Sequence, residues 1–320
     1  IFRKYDSNDG QSSIVVKKCM KPFESTERAK RLFRQLHLLR TVRHENIIRL
    51  IATYTVKEEN GEDSIYTISN YCGDPLSERI ERGDYIMDDV KKWTREMLMA
   101  VQRPMNNVVI HRNLHPGNIC IDEDNKLTLI ALGHARVIDR DQNMTKDSGT
   151  QPYTPIELIV EWDGPYDEKV DVWSISAILC ELISGNGIFT ANEVSDILEL
   201  QLQCVGRMDQ AVKDKISKFV TKKRRRSSKS FQDFITLLLD NLVEGRGIME
   251  ADIRAEEDNL RDFLGQTLLF DPDRRMSSAH ALAHPFLRSP ELWEIQLPAG
   301  DAEALKTLED RIDEEIGLAP

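Results

Sequence analysis

The pattern of apolar and polar positions predicts a β-rich start to the chain. Two β-prone runs at 1–5 and 12–19 flank the turn sequence Asp-Ser-Asn-Asp-Gly, and this arrangement predicts a hairpin. From residue 25 to 41 the spacing becomes helical, with Ser25 as the N-cap. The helical face predicted to pack inward carries Ala29, Leu32, Phe33, Leu36 and Leu39.

The remainder of the chain is predicted to be mainly helical. Residues 88–101 place Val90, Trp93, Met97 and Val101 on one face. Short apolar runs at 119–121 and 127–130, joined by Asp-Glu-Asp-Asn, predict a second hairpin. Further helical patterns cover 171–182, 195–219, 231–243, 257–269, 279–284 and 301–316.

Composition and charge limit the class of protein. A chain of 320 residues allows about two domains of roughly 150 residues each, and its 40% hydrophobic and 30% charged content is typical of a globular protein. No apolar run approaches the roughly 20 residues of a membrane span, and no apolar signal segment is present, so an intracellular location is expected. The net charge of −11 argues against broad nucleic-acid binding.

The cysteine content argues against a disulfide framework or a zinc site. The number of cysteines is odd, and no two form a C-x-x-C pair. We therefore expect reduced thiols, most of them buried. The residues are Cys19, Cys72, Cys120, Cys180 and Cys204.

The segment His-Arg-Asn-Leu-His-Pro-Gly-Asn at 111–118 carries the main candidate chemistry. It resembles the protein-kinase catalytic loop, His-Arg-Asp-Leu-x-x-x-Asn, at every specified position but one. There Asn113 replaces the aspartate that accepts the proton of a substrate hydroxyl, and an amide cannot act as a base. His115 is a further candidate catalytic residue, and Asn118 is the candidate magnesium ligand. Chance is the alternative unless other motifs fall at the right distances.

Motifs over nearly the whole chain resemble the stress-activated branch of the mitogen-activated protein kinases. In the first part these are Lys17-Lys18, Pro22-Phe23-Glu24-Ser25, Ala29-Lys30-Arg31 and His44-Glu45-Asn46-Ile47-Ile48. The resemblance implies an α+β, two-lobed protein-kinase fold. It divides the chain into a small β-rich N-lobe over 1–73, a mainly helical C-lobe over 74–288 and a C-terminal extension over 289–320 that packs back on the kinase domain. It also implies strands at 50–56 and 64–70, and places the first strand and the Gly-rich phosphate loop before Ile1.

The resemblance implies ATP and Mg²⁺ as cofactors. Lys17, which ends the strand Ile-Val-Val-Lys, would reach the phosphates, and Gln35 stands where a helix Glu would pair with it. Taken from the strand alone, Lys17 could equally be a solvated edge residue. Ser69 is the implied gatekeeper, and Tyr71 belongs to the implied hinge at 70–73.

Ala131-Leu132-Gly133 occupies the place of Asp-Phe-Gly, whose aspartate carries magnesium in the family. Ala131 supplies no metal ligand, whereas Leu132 can fill the apolar slot of the Phe. His134 has two interpretations, a substitute ligand or an ordinary surface or core residue. The missing carboxylates at 35, 113 and 131 predict loss of the ion pair to Lys17, of the catalytic base and of a magnesium ligand, all of them parts of the phosphoryl-transfer machinery.

A phosphorylation switch is also implied by the resemblance. Thr145-Lys146-Asp147 stands in place of a Thr-x-Tyr motif, so the threonine is kept and the tyrosine is lost. A phosphate on Thr145 would add about −1.5 to −2 charge and several acceptor oxygens. The alternative is that the arginines implied to receive it are ordinary solvated residues. Those arginines are Arg31, Arg34, Arg112 and Arg136.

The resemblance also implies two structural contacts. Glu157 is expected to pair with Arg275 in a buried bridge, and Asp171 is expected to brace the catalytic-loop backbone. The basic run 222–229 has two interpretations, an exposed loop or a nuclear-localisation signal or phosphosite. Glu291 and Glu294 are what remains of the acidic docking patch of the family.

Together these motifs predict a signalling protein of the stress-activated type that is catalytically impaired, a pseudokinase acting as a phosphorylation-responsive scaffold or regulator. The alternative is an active or residually active ATP-dependent serine/threonine protein kinase. The expected partners are an upstream mitogen-activated protein kinase kinase and other signalling proteins, without nucleic acid or membrane. The expected state is a monomer in the cytoplasm or the nucleus.

Overall fold

A computed structural model describes residues 2–6, 13–59, 61–102, 109–137, 151–160, 166–191, 193–205, 231–240 and 250–288. The chain divides into two compact units, Ile1–Leu287 and Arg288–Pro320. Everything described, apart from Arg288, belongs to the first unit. The implied C-terminal extension with its two glutamates, the basic run 222–229 and the switch residue Thr145 lie outside the described residues.

A four-stranded antiparallel sheet forms the small lobe. Its strands are β1 (Phe2–Asp6), β2 (Ser13–Met20), β3 (Leu50–Lys57) and β4 (Asp63–Asn70), in the spatial order β1-β2-β4-β3. Phe2 lies opposite Lys17 in the β1–β2 ladder, which confirms the predicted first hairpin. Because β2 has a neighbour on each side, the interpretation of Lys17 as an edge-strand residue is wrong.

The first helix, α1 (Thr26–Thr41), begins where the capping residue predicts. The Ser25 hydroxyl accepts a hydrogen bond from the backbone N–H of Arg28 at 3.2 Å. The last turns of the helix enter the core, since Leu38 and Leu39 are buried. Phe33 is 73% exposed, so its predicted place on the packed face is wrong. An apolar stripe on a helix does not specify which of its residues reach the core. Here the residues near the C-terminal end, Leu38 and Leu39, do so.

Helices form the larger lobe. The described ones are α2 (Leu76–Arg82), α3 (Met87–Val101), α4 (Ile156–Ile159), α5 (Lys169–Ser184), α6 (Val194–Val205), α7 (Phe231–Asp240), α8 (Glu250–Thr267) and α9 (Ser278–Ala283). Nearly every residue of α5 is buried, so it is the central helix of the lobe. The predicted packed face of α3 is confirmed, because all four of its predicted residues are buried. α8 begins at Glu250, earlier than predicted.

Short strands organise the region between the sheet and the helices. They are β5 (Asp74–Pro75), β6 (Val109–Ile110), β7 (Ile119–Ile121), β8 (Leu127–Leu129) and β9 (Arg136–Val137). β7 and β8 pair as the predicted second hairpin, β5 adds to β7, and β6 pairs with β9. Asn46 ties the segment after α1 to this region, because its Nδ2 donates to the Leu127 carbonyl at 2.8 Å.

The predicted α+β architecture, with a β-rich small lobe and a helical large lobe, is confirmed. Among the helices of the described ranges, none combines the length and apolarity that crossing a bilayer requires. All five cysteines are free thiols. Cys120 and Cys180 are buried and the other three are partly buried, so the expectation of mainly buried thiols is met only in part.

Candidate active site

The backbone of the candidate catalytic loop, 111–118, is held by a buried carboxylate. Asp171, in the first turn of α5, accepts hydrogen bonds from the backbone N–H of His111 at 2.6 Å and of Arg112 at 2.8 Å. Arg112 has a φ of 62°, in the left-handed region, so the chain turns sharply here. Burial raises the pKa of Asp171 to about 7, and the two N–H donors oppose this rise. Asp171 therefore braces the loop, as the sequence predicts.

Asn113, at the position implied for the catalytic base, is partly buried within this loop. Its carbonyl oxygen accepts a hydrogen bond from Nδ2 of Asn118 at 3.1 Å, and its N–H donates to Nδ1 of His111 at 3.4 Å. The structure therefore brings the two asparagines together in a loop closed by its own hydrogen bonds. The Asn113 side chain ends in an amide, which takes up no proton near neutral pH.

The two histidines of the loop lie in different environments. His111 is buried, its Nε2 lies 3.0 Å from the Ile130 carbonyl oxygen, and burial lowers its pKa to about 4. A neutral ring with its proton on Nε2 satisfies both ring contacts, because Nδ1 is an acceptor. His115 is partly buried, and burial lowers its pKa. Its ring centroid is 6.2 Å from that of Tyr153. His115 is thus neutral near pH 7 and able to accept a proton.

Ala131, at the position implied for the magnesium-binding aspartate, has φ 64° and ψ 50°. This left-handed conformation costs about 1–2 kcal/mol for residues with a Cβ. The tight turn Leu132–His134 follows, and Leu132 is buried in the main core, which confirms its predicted packing role. Within the described part of the chain no set of three or more His, Cys, Asp or Glu side chains is placed to hold a metal ion, and His134 belongs to no such set.

Lys17 and Gln35 line one cavity of about 140 Å³ between β2 and α1. Burial lowers the pKa of Lys17. The structure therefore brings together the lysine and the glutamine that the sequence pairs. The other lining residues are Cys19, Arg28, Arg31, Leu32 and Thr67, so the lining contains three basic side chains and no carboxylate.

Ser69 and Tyr71 lie at and just beyond the end of β4, where the chain leaves the small lobe. Ser69 is buried and pairs with Val15 of β2. The Tyr71 backbone N–H donates to the Ser13 carbonyl at 2.9 Å, and its hydroxyl donates to Asp74 at 2.7 Å. The second bond raises the pKa of Tyr71 to about 12. Hydrogen bonds therefore hold the implied hinge residue Tyr71 to both Ser13 and Asp74.

The four implied phosphate-receiving arginines take different positions. Arg34 donates to the Gly133 carbonyl at 3.5 Å, and Nε of Arg112 donates to the next carbonyl, that of His134, at 2.8 Å. Arg136 lies in β9, and Arg31 lines the cavity that holds Lys17. Arg112 is only 2% exposed, which contradicts the interpretation of this arginine as a solvated residue.

Glu157 and Arg275 form the predicted bridge. Nη1 of Arg275 lies 2.6 Å from Oε1 of Glu157, and both side chains are 0% exposed. Arg275 also lies over the Trp173 ring, 5.1 Å from its centroid. The bridge therefore joins α4 to the core around α5.

Two contacts of the site had no signal in the sequence. The Tyr166 hydroxyl accepts a hydrogen bond from Nη1 of Arg112 at 2.9 Å, and the Tyr153 hydroxyl donates to Glu181 at 2.6 Å. The partners are 54 and 28 positions apart, and neither pair belongs to a motif. Only the folding of the loops around α5 brings these side chains together.

Comparison with known proteins covers nearly all of the first unit. A family model described as "Protein kinase domain" matches residues 3–287. Mitogen-activated protein kinase HOG1A of Wallemia ichthyophaga is 32% identical over 304 residues, which cover 94% of this chain and 74% of that protein. Mitogen-activated protein kinase 13 of Mus musculus is 30% identical over 306 residues, covering 93% and 78%. Mitogen-activated protein kinase 14 of Xenopus laevis is 28% identical over 274 residues, covering 85% and 72%.

Proposed function

The chain belongs to the protein kinase family, within the stress-activated branch of the mitogen-activated protein kinases, and from this premise we propose that it is a catalytically impaired member acting as a phosphorylation-responsive scaffold or regulator. The observation that carries the proposal is Asn113. The loop around it is assembled, with its backbone braced by Asp171 and closed by Asn118, yet the side chain at its centre is an amide.

Three replacements weaken phosphoryl transfer in different ways. Loss of a general base lowers the rate of the chemical step by roughly 10²–10⁴-fold. Gln35 reaches the same cavity as Lys17 but cannot form a charge-assisted hydrogen bond with it as a carboxylate would. Ala131 removes an acidic ligand. Because these losses fall on the base, the phosphate-binding lysine and the metal, no single side chain can compensate for all of them.

The residues present do not fit a Mg²⁺ ion. Magnesium in nucleotide sites is bound through one or two carboxylates together with phosphate oxygens. Nδ2 of Asn118 is engaged with the Asn113 carbonyl, which leaves one amide oxygen, and Ala131 contributes nothing. These residues therefore support no catalytic step through a metal. Nucleotide binding through Lys17, the implied gatekeeper Ser69 and the hinge residue Tyr71 is an additional proposal.

The proposed switch is phosphorylation of Thr145. Arg34 on α1 and Arg112 in the catalytic loop already donate to adjacent carbonyls, at Gly133 and His134. A phosphate delivered to this neighbourhood would attract guanidinium groups from both elements and tie them more firmly together. The arrangement supports a protein that changes its surface on phosphorylation without transferring phosphate itself.

The alternative proposal is a residually active ATP-dependent serine/threonine protein kinase. Two observations favour it. Lys17 lies on an interior strand in the cavity with Gln35, and His115, two positions beyond Asn113, is neutral near pH 7. Such a ring could take up the proton of a substrate hydroxyl if it turned toward it.

Partners and location follow from the family as further proposals. An upstream mitogen-activated protein kinase kinase would phosphorylate Thr145, and other signalling proteins would bind the phosphorylated form. The protein would be a monomer in the cytoplasm or nucleus. The lobe boundary at 73/74 and the extension over 289–320 complete the proposed organisation.

A thermal-unfolding titration with ATP, with and without Mg²⁺, tests the proposal. We expect no magnesium-dependent rise in Tm for the unaltered chain. The matched control carries Gln35→Glu, Asn113→Asp and Ala131→Asp together, and should gain such a rise. An active mitogen-activated protein kinase verifies the assay.

A kinase assay on a generic protein substrate separates the alternative. Robust phosphorylation by the unaltered chain, abolished by Lys17→Met, would overturn the impaired assignment. If activity also disappeared with His115→Gln but survived Asn113→Ala, the histidine would be the base.

A further inference from the structure

The face that α1 turns toward the sheet changes character along the helix. Near its end this face carries Leu39, which is 4% exposed. One to three turns earlier the same face carries Arg28, Arg31 and Gln35, since positions 28, 31, 35 and 39 recur at helical spacing. These three side chains line the cavity of about 140 Å³ between β2 and α1. The small lobe therefore contains a basic cavity where an apolar contact between helix and sheet is usual.

Two strands supply the opposite wall of this cavity. Lys17 of β2 lies opposite Thr67 of β4 in the ladder, and Cys19 lies on the same face of β2 as Lys17. All three line the cavity. Because β2 and β4 each pair with a strand on both sides, the backbone of this wall is firmly held. Thr67 is 7% exposed and Lys17 is partly buried, so these hydrogen-bond donors are largely withdrawn from bulk water.

The charged side chains of the lining all have the same sign. Burial lowers the pKa of Lys17, because the protein withdraws the ammonium group from water, and a nearby anion would oppose this effect. Arg28 is anchored on the exposed side, with Nη1 2.7 Å from Glu24 and Nη2 donating to the Met20 carbonyl at 2.9 Å. Glu24 offsets the charge of Arg28 but does not line the cavity. The lining itself therefore favours a negatively charged ligand.

We propose that the cavity between β2 and α1 binds a compact phosphate dianion, either inorganic phosphate or a small phosphate monoester, held chiefly by Lys17 and Arg31. Ammonium and guanidinium groups form charge-assisted hydrogen bonds with phosphate oxygens, and the Gln35 amide and the Thr67 hydroxyl can donate further ones. A volume of about 140 Å³ holds several water-sized positions, which is enough for a group of five heavy atoms. It is smaller than the roughly 300–1,000 Å³ of pockets that enclose drug-sized ligands.

This site is distinct from the two phosphate sites of the proposed function. The proposed nucleotide site combines Lys17 with Ser69 and Tyr71, and neither of these two residues lines the cavity. The proposed switch uses Arg34 and Arg112, which do not line it either. The site therefore depends neither on the phosphorylation switch nor on the loss of catalysis. A phosphate bound there would join α1 to β2 and stabilise the small lobe.

Thermal unfolding of the full chain in inorganic phosphate measures binding. Magnesium is left out, and sodium chloride keeps the ionic strength constant across the titration. We expect Tm to rise by about 3 °C at ten times the half-saturating phosphate concentration. Chloride alone should have no such effect, because it cannot accept hydrogen bonds from several donors at once in the geometry of a tetrahedral oxyanion.

A matched pair of variants locates the bound phosphate. Arg31→Gln should raise the half-saturating phosphate concentration tenfold or more, because it removes charge-assisted hydrogen bonds. The control is Lys30→Gln, which removes one positive charge from the neighbouring position. Lys30 is exposed and does not line the cavity, so this control should change the half-saturating concentration less than about twofold.

Alkylation of Cys19 gives a second readout on the unaltered chain. The folded chain is treated briefly with iodoacetamide at increasing phosphate concentration, then denatured and cut with trypsin. Cys19 lies in peptide 19–28 and Cys72 in peptide 58–79, and each peptide contains one cysteine. Because Cys19 lines the cavity, bound phosphate should slow its alkylation at least threefold, with the same half-saturating concentration as the rise in Tm. Cys72, another partly buried thiol, should react at an unchanged rate.

ATP without magnesium distinguishes a compact phosphate from the phosphate tail of a nucleotide. We expect ATP to protect Cys19 no better than inorganic phosphate does. Protection by ATP at a tenfold lower concentration would overturn the assignment to a compact phosphate and would support the nucleotide proposal instead.

Three other outcomes would overturn the proposal. The first is an unchanged Tm at every phosphate concentration. The second is a rise in Tm without protection of Cys19, which would place the phosphate elsewhere on the protein. The third is an equal phosphate response in Arg31→Gln and Lys30→Gln. The first two are measured on the unaltered chain, so they do not depend on the folding of a variant.

Discussion

Arg275 reaches Glu157 across 118 positions of sequence, with Nη1 2.6 Å from Oε1 and Nη2 3.1 Å from Oε2. The guanidinium also donates to the carbonyl oxygens of Leu269 at 2.9 Å and Lys169 at 3.0 Å. Every charge in this buried group is therefore matched. A buried ion pair of this kind adds little net stability over apolar residues, but removal of one partner leaves an uncompensated charge.

Replacement of Glu157 by Gln should therefore destabilise the protein by about 3–5 kcal/mol. Denaturant unfolding followed by circular dichroism measures the change. The matched control is Glu24→Gln, which breaks the Arg28 pair, whose side chains are 46% and 56% exposed. That change should stay below about 0.5 kcal/mol. Equal losses in the two variants would contradict the assigned role of burial.

Protonation of His111 should destabilise the protein on acidification. Its pKa falls from 6.5 to about 4 on folding, so the stability it contributes is present above pH 6.5 and is lost as the pH falls toward 4. The reason is that burial disfavours the charged ring, and a second ring proton on Nδ1 would also face the N–H of Asn113. The free energy of unfolding of the unaltered protein should drop by up to about 3 kcal/mol more than that of His111→Gln over this range.

Urea titrations at several pH values measure this difference. Burial raises the pKa of Asp171 from 3.8 to about 7, so its contribution is present below 3.8 and is lost as the pH rises through 7. That opposite trend acts in both proteins and cancels in the comparison. Parallel curves for the two proteins would show that His111 is not the group responsible.

Ala131→Gly should stabilise the protein by about 0.5–1 kcal/mol. The left-handed φ of 64° penalises a Cβ by about 1–2 kcal/mol, and the flexibility of glycine in the unfolded chain offsets about half of that. Ala135→Gly is the control, because Ala135 has φ −64° and is fully buried. The free energy of unfolding of this control variant should fall by about 1 kcal/mol or more. Thermal unfolding of both variants measures these changes in stability. A loss of stability in Ala131→Gly would contradict the assigned backbone strain at this position.

Phe33 should tolerate a polar side chain. Because it is 73% exposed, Phe33→Gln should change the free energy of unfolding by less than about 0.5 kcal/mol. Leu38→Ala, five positions later on the same helix and 2% exposed, should cost about 2–5 kcal/mol. If Phe33→Gln destabilised the full chain as much as Leu38→Ala does, another part of the chain would have to cover this side chain.

Thr145 should be phosphorylated when the purified chain is incubated with an active upstream mitogen-activated protein kinase kinase and ATP. Mass spectrometry should find one phosphate there and none in Thr145→Ala. Because a phosphate accepts charge-assisted hydrogen bonds, the modified protein should unfold at a higher Tm, and Arg34→Gln should reduce that gain. Unmodified Thr145 after prolonged incubation would remove the switch from the proposed function.

The local sequence pattern was sufficient to predict most secondary-structure elements and the pairing of the strands in both hairpins. The Ser25 cap, the packed face of α3 and both hairpins depend on neighbours within a few positions, so their sequence signals were complete. The resemblance also placed Asp171 against the loop and Glu157 against Arg275, because these pairs recur at known motif positions. The exposure of Phe33 was missed, since amphipathic spacing gives a stripe and not the line along which it packs.

The sequence by itself determined which chemical groups are available: an amide at Asn113, a methyl group at Ala131 and an amide at Gln35, each a property of the residue and independent of the fold. Only the tertiary structure decided which groups meet. The bonds from Arg112 to Tyr166 and from Tyr153 to Glu181 join segments that are distant along the chain. Such contacts arise when separate elements pack on a common core, and no local periodicity records them.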